Sequence, residues 1–113
     1  MGRAESPISS YVSARLDLLE RRRLVYAFRN NSFVGRIQRS NGTQGFIKNS
    51  KVGAPDYILL VGGGLWVGVE LKSQVGRLSI EQKAAREYIE SLGGAYWVIK
   101  TPEEFEAKLA EVL

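Results

Sequence analysis

The sequence predicts a mixed α/β domain, a small mixed sheet flanked by helices, in the order α-β-β-β-α-β-α. Three observations carry that reading. Three segments place apolar residues at helical spacing between recognisable start and stop signals. Four short runs rich in Val, Ile, Leu, Tyr and Trp lie between them, with glycines at several of the turns. Hydrophobic residues make up 44% of the 113 and charged residues 25%, a composition that suits one folded domain over residues 1–113.

The elements follow in order. Ser6 reads as a helix cap and Pro7 as the first helical residue. Ile8, Tyr11, Val12, Leu16 and Leu19 then share a face, and Arg21-Arg22-Arg23 places cations where a helix C-terminus favours them. Leu24–Arg29 reads as a strand. No period dominates from Asn30 to Gly53. That stretch is either a functional loop or a solvated surface segment with a short hairpin around Asn41-Gly42. Tyr57–Val61 and Leu65–Leu71 flank Gly62-Gly63-Gly64 as a hairpin. Ser79 starts a second long helix with Ile80, Ala84, Ala85, Tyr88, Ile89 and Leu92 on one face, and Gly93-Gly94 ends it. Ala95–Ile99 is a further strand. Thr101-Pro102-Glu103-Glu104 then opens a last helix that packs Phe105, Leu109 and Val112.

Composition narrows the chemistry. The chain has no cysteine and no histidine, which removes thiolate nucleophiles, zinc fingers, imidazole acid–base catalysis and the Ser-His-Asp triad. Any catalysis must use carboxylates, lysine, amides, hydroxyls or a metal held by oxygen. The net charge of +4 favours a polyanionic partner. No run approaches the ~20 apolar residues of a membrane span, and no apolar signal core follows the first residues. The expected compartment is the cytoplasm, with no membrane partner.

One constellation can cut a phosphodiester. Alternation along Leu65–Lys72 puts Glu70 and Lys72 on one face of the strand, roughly 6–7 Å apart. Asp56 opens the partner strand, and pairing can bring it beside Glu70. Two carboxylates and a lysine then converge at one end of the hairpin. Mg²⁺ or Mn²⁺ prefers such oxygen ligands, and the Leu71 carbonyl adds another. A cation there polarises the phosphorus–oxygen bond and acidifies water, while Lys72 orients or deprotonates that water or neutralises the phosphate. The structural alternative is a surface Glu70–Lys72 ion pair with Asp56 as a turn residue. Gln82 reads first as the third helical residue of a Ser79 capping box. Trp66, Tyr96 and Trp97 read as core or strand packing.

Gly53-Ala54-Pro55-Asp56, Val69-Glu70-Leu71-Lys72 and Gly76-Arg77-Leu78-Ser79-Ile80-Glu81-Gln82 together resemble the virus-type replication-repair nuclease (VRR-NUC) domain. That family belongs to the PD-(D/E)xK superfamily of restriction-endonuclease-like folds. The resemblance covers most of the chain and is densest from Gly53 to about Phe105. It implies metal-dependent cleavage of DNA, with Asp56 and Glu70 as metal carboxylates, Lys72 as the catalytic lysine and Gln82 as an active-site glutamine. Family members often carry a further acid early in the first helix, where this chain has Ser9, Ser10 and Tyr11. Small stand-alone members are dimeric and structure-selective. The resemblance therefore implies a homodimer that cuts four-way (Holliday) junctions, of phage or bacterial origin. Tyr11 and Leu18 on the first helix are the expected outer positions of an interface.

Arg36, Arg39, Lys48, Lys51 and Arg77 are the expected DNA phosphate contacts. Two other classes compete: a catalytically silent nucleic-acid-binding module on the same fold, and a protein–protein adaptor.

Overall fold

The computed structural model describes residues 6–30, 34–38, 40–42, 44–48 and 51–113. The first helix, α1 (Pro7–Arg21), starts where Ser6 accepts the Ser9 N–H on its side-chain oxygen at 3.2 Å. Strand β1 (Val25–Arg29) follows. β2 (Val34–Gln38) and β3 (Gln44–Lys48) then pair antiparallel about the Asn41-Gly42 turn, with Gly42 at a φ of +89°. The aperiodic stretch thus contains the expected hairpin, as a two-stranded sheet of its own. Next come β4 (Tyr57–Val61), β5 (Leu65–Leu71), α2 (Ile80–Ser91), β6 (Ala95–Ile99) and α3 (Pro102–Val112). Thr101 and Glu104 form a reciprocal capping box at the start of α3.

The main sheet has the order β1-β4-β5-β6. β1, β4 and β5 are antiparallel, and β6 joins β5 in parallel because α2 carries the chain back across the sheet. The result is a mixed α/β fold, as the sequence predicts.

The two faces of the sheet differ. On the inner face, α1 and α3 cover Tyr57, Leu59, Val67, Val69, Trp97 and Ile99 with Val12, Leu16, Leu19, Phe105 and Leu109. Trp97 meets Phe105 edge to face at a centroid distance of 6.3 Å. The Tyr11 hydroxyl and Arg15 Nε both donate to Glu106, tying α1 to α3 within the chain. α2 lies on the outer face. None of its residues is fully buried; Gln82, Ala85 and Ile89 are half-buried, while Ile80, Tyr88 and Leu92 face solvent. Tyr26, Phe28 and Leu60 on the same outer face are also exposed. Among the described residues no helix is long and apolar enough to cross a membrane.

This packing assigns stability to the inner layer. Phe105→Ala should cost about 3–5 kcal/mol by urea denaturation, whereas the exposed Glu87→Ala in α2 should change stability by about 0.5 kcal/mol or less.

Candidate active site

The hairpin register decides which side chains meet. Tyr57 pairs with Val69 and Ile58 with Gly68, so the next step along the ladder sets Asp56 opposite Glu70. Asp56 is fixed from both sides. Its carbonyl accepts the Asn30 N–H at 2.7 Å, and its Oδ2 accepts the Leu71 N–H at 2.8 Å. The carboxylate therefore stands where a backbone carbonyl would continue the sheet. On the other edge of β5 the Lys72 N–H donates to the Ile99 carbonyl at 3.0 Å. Across a trans peptide the preceding carbonyl points the opposite way. The Leu71 carbonyl thus faces the Asp56 side.

Glu70 is only 4% exposed. Its Oε2 accepts Gln82 Nε2 at 2.8 Å and lies 3.7 Å from Lys72 Nζ, an ion-pair distance too long for a hydrogen bond. Its Oε1 is buried and has no hydrogen-bond partner among the described residues. Burial above all, and then the Asp56 charge, pushes the Glu70 carboxyl up to about 7, against a smaller downward pull from Lys72.

The glycines and proline of the motif explain how this end of the hairpin closes. A Cβ at Gly53, whose φ is +80°, would lie 2.4 Å from the Glu81 carbonyl oxygen. A Cβ at Gly68 would lie 2.5 Å from Pro55 Cγ. Pro55 thus packs directly on β5 and the loop packs directly on the first turn of α2. Asp56 and Gln82 are both held over Glu70 by these contacts.

Gln82 does two jobs with its two ends. Its N–H donates to Ser79 Oγ at 3.1 Å and its Oε1 accepts the Ser79 N–H at 2.9 Å, completing the capping box. The remaining Nε2 reaches Glu70. An amide offers a donor and an acceptor, so Gln82 caps α2 and bonds Glu70 at once.

The region where an acid was expected in α1 holds hydroxyls. Ser9 is buried with its Oγ 3.2 Å from Tyr57 Oη, and Ser13 Oγ lies 2.6 Å from the same oxygen. Glu20 is engaged elsewhere, accepting the Ala27 N–H at 3.0 Å.

Of the expected phosphate contacts, Arg36 falls in β2 and Lys48 in β3, Lys51 is exposed, and Arg39 lies outside the described residues. Arg77 lines a recess of about 580 Å³ beside α2, together with Lys83, Arg86 and Lys100. Lys83 and Arg86 are one turn apart on α2, with Glu87 and Glu90 in the same lining, and the β5-α2-β6 crossover brings Lys100 to them. Tyr96 packs as expected, buried on the Glu70 side of the sheet, and its hydroxyl has no hydrogen-bond partner among the described residues.

The donor set fits a hard cation that keeps several waters. Asp56, the unpartnered Glu70 Oε1 and the Leu71 carbonyl are all oxygen donors at one end of the hairpin. Among the described residues no group of three or more His, Cys, Asp or Glu side chains is arranged to hold a metal, so a fully protein-built cage is not what this site offers.

Comparison of the chain with family models, with curated proteins and with solved structures finds no match in any of the three. Geometry and chemistry therefore carry the functional reading.

The Glu70 carboxyl makes stability depend on pH. Its value in the folded protein is raised from 4.5 to about 7. The folded state thus gains from protonation, a gain fully present below 4.5 and lost as the pH rises through about 7. In metal-free buffer with EDTA, wild type should lose stability relative to Glu70→Gln across that window and level off above it. Parallel denaturation profiles for the two proteins would show that Glu70 does not titrate this way.

Proposed function

We propose that this chain is a divalent-metal-dependent, structure-selective DNA endonuclease of the VRR-NUC kind. The observation that carries the reading is the convergence of Asp56, Glu70, Lys72 and Gln82 at one end of the β4–β5 hairpin, with one Glu70 oxygen left without a partner among the described residues. The resemblance of Gly53–Asp56, Val69–Lys72 and Gly76–Gln82 to that family supports the same assignment.

In this reading Asp56, Glu70 Oε1 and the Leu71 carbonyl hold Mg²⁺ or Mn²⁺. The cation supplies Lewis acidity toward a phosphodiester oxygen and toward the attacking water. Gln82 fixes the Glu70 rotamer by occupying Oε2, which leaves Oε1 for ligation. Lys72, held beside Oε2, neutralises phosphate charge and orients the water. A bond forms from the water oxygen to phosphorus, the ester bond to the leaving oxygen breaks, and that oxygen gains a proton.

A silent nucleic-acid-binding module is the competing reading. Burying a carboxylate next to a second one opposes binding of a polyanion and burdens the fold. That arrangement makes sense where a cation is to be held. The basic recess of Arg77, Lys83, Arg86 and Lys100 and the cations Arg36, Arg39, Lys48 and Lys51 supply the phosphate contacts.

Resolution of a four-way junction needs two nicks, which a two-fold dimer delivers. The proposed assembly is a homodimer acting in the cytoplasm. On α1, Leu18 is exposed while Tyr11 bonds to Glu106 of its own chain. The apolar groove of about 730 Å³ between α2 and the outer sheet face, lined by Ile58, Trp66, Tyr88 and Leu92 among others, supports a seam there.

Incubation of junction, linear and plasmid DNA with and without Mg²⁺ or Mn²⁺ tests the proposal. Asp56→Ala, Glu70→Ala and Lys72→Ala should each abolish cleavage in a folded protein, with Lys72→Ala retaining more metal binding than the other two. Full activity in any one of them overturns the assignment.

The carboxylate variants should still bind DNA, with affinity falling steeply as salt rises. Neutralising Arg77, Lys83 and Lys100 together should flatten that salt dependence, and an unchanged slope would remove the recess from the DNA path.

A further inference from the structure

Two buried side-chain polar atoms have no hydrogen-bond partner among the described residues: Glu70 Oε1 and Tyr96 Oη. Their coincidence is informative, because buried polar groups are rarely left unpaired without an ion or water to serve them. Register places them on the same face of neighbouring strands. Tyr96 pairs with Gly68 and Val98 with Glu70 in the parallel β5–β6 ladder, so Tyr96 and Glu70 are diagonal neighbours two residues apart. Position 68 contributes no side chain between them, and Pro55 caps the glycine from above.

Gln82 uses Oε1 on the Ser79 N–H and one Nε2 hydrogen on Glu70 Oε2, and Lys72 Nζ lies at ion-pair distance from that same oxygen. Among the described residues no protein group serves Glu70 Oε1 or the Tyr96 hydroxyl. Tyr96 is 3% exposed, so bulk solvent does not serve it freely either.

We propose that Tyr96 is a positioning residue of the cation site, its hydroxyl and Glu70 Oε1 together holding a water of the cation's hydration shell. The inference rests on the reading of Asp56 and Glu70 as cation ligands, and adds to it a member that the sequence pattern does not mark. A phenol suits the task because it donates a hydrogen bond without adding charge beside two carboxylates. Burial, reinforced by the Glu70 and Asp56 charges, moves the Tyr96 phenol well above its ordinary range, so it remains a neutral donor at any working pH. Outer-shell donors of this sort orient the ligands of a metal and tune its affinity.

Tyr96→Phe isolates the hydroxyl, since the ring and its packing are kept. Two measurements on the full chain read the result. In EDTA, urea denaturation of Tyr96→Phe should give stability equal to or above wild type, because the hydroxyl has no protein partner to lose. Mn²⁺ titration followed by calorimetry and by water-proton relaxation should show affinity about tenfold weaker, with a changed relaxation enhancement. Unchanged Mn²⁺ affinity overturns the role of Tyr96 and leaves the ligand assignment intact. Lower stability in EDTA also overturns it, because the hydroxyl would then be bonded within the protein. A wild-type chain that binds no Mn²⁺ overturns the cation reading and this inference with it.

Discussion

A carboxylate held at 4% exposure, with one oxygen lacking a partner among the described residues, raises the free energy of the fold unless something offsets it. Glu70 is in that position, and the surrounding structure is arranged around it. The Gln82 amide and the Lys72 ammonium are both directed at Oε2. Neither approaches Oε1. The carboxyl is pushed up to about 7, which means the metal-free protein carries it partly protonated near neutrality. In the proposed function a divalent cation would reverse that balance, since the ion's own charge would dominate the local electrostatics. The same burial that is unfavourable alone would then help to hold a cation away from competing water.

That arrangement depends on backbone more than on side-chain reach. Asp56 stands one residue before β4 begins and uses its carboxylate to continue the ladder to the Leu71 amide. The consequence is a fixed distance relation between the two acids, set by sheet pairing. α2 acts as the lid. Its first turn touches Gly53, its Gln82 touches Glu70, and its capping box fixes the rotamer that makes the second contact possible. A side chain at position 53 would push α2 away from the sheet and take Gln82 with it.

Much of this was legible in the sequence, for physical reasons. The caps at Ser6, Ser79 and Thr101 announce helix starts because short polar side chains satisfy the first free N–H groups. The β4–β5 hairpin is plain from two apolar runs around three glycines, and its register follows from its short turn, which is why Asp56 and Glu70 could be paired. What escaped was everything set by the crossover. The pairing of β6 with β5 is long-range, so neither the place of Tyr96 beside Glu70 nor the approach of Lys100 to Arg77, Lys83 and Arg86 is written in local spacing. The apolar stripe of α2 gave a correct helix. It did not reveal that Tyr88 and Leu92 stay exposed, because periodicity shows which residues share a face and not whether anything covers that face.

The most direct test of the central claim is a crystal structure grown with Mn²⁺ and phased on its anomalous signal. The account expects a peak at the open end of the β4–β5 hairpin, held by Asp56, by Glu70 Oε1 and by the Leu71 carbonyl, the oxygen donors a hard cation would take there. Gln82 should remain on Oε2. A site empty at saturating Mn²⁺, or a peak held by residues elsewhere, would contradict the account.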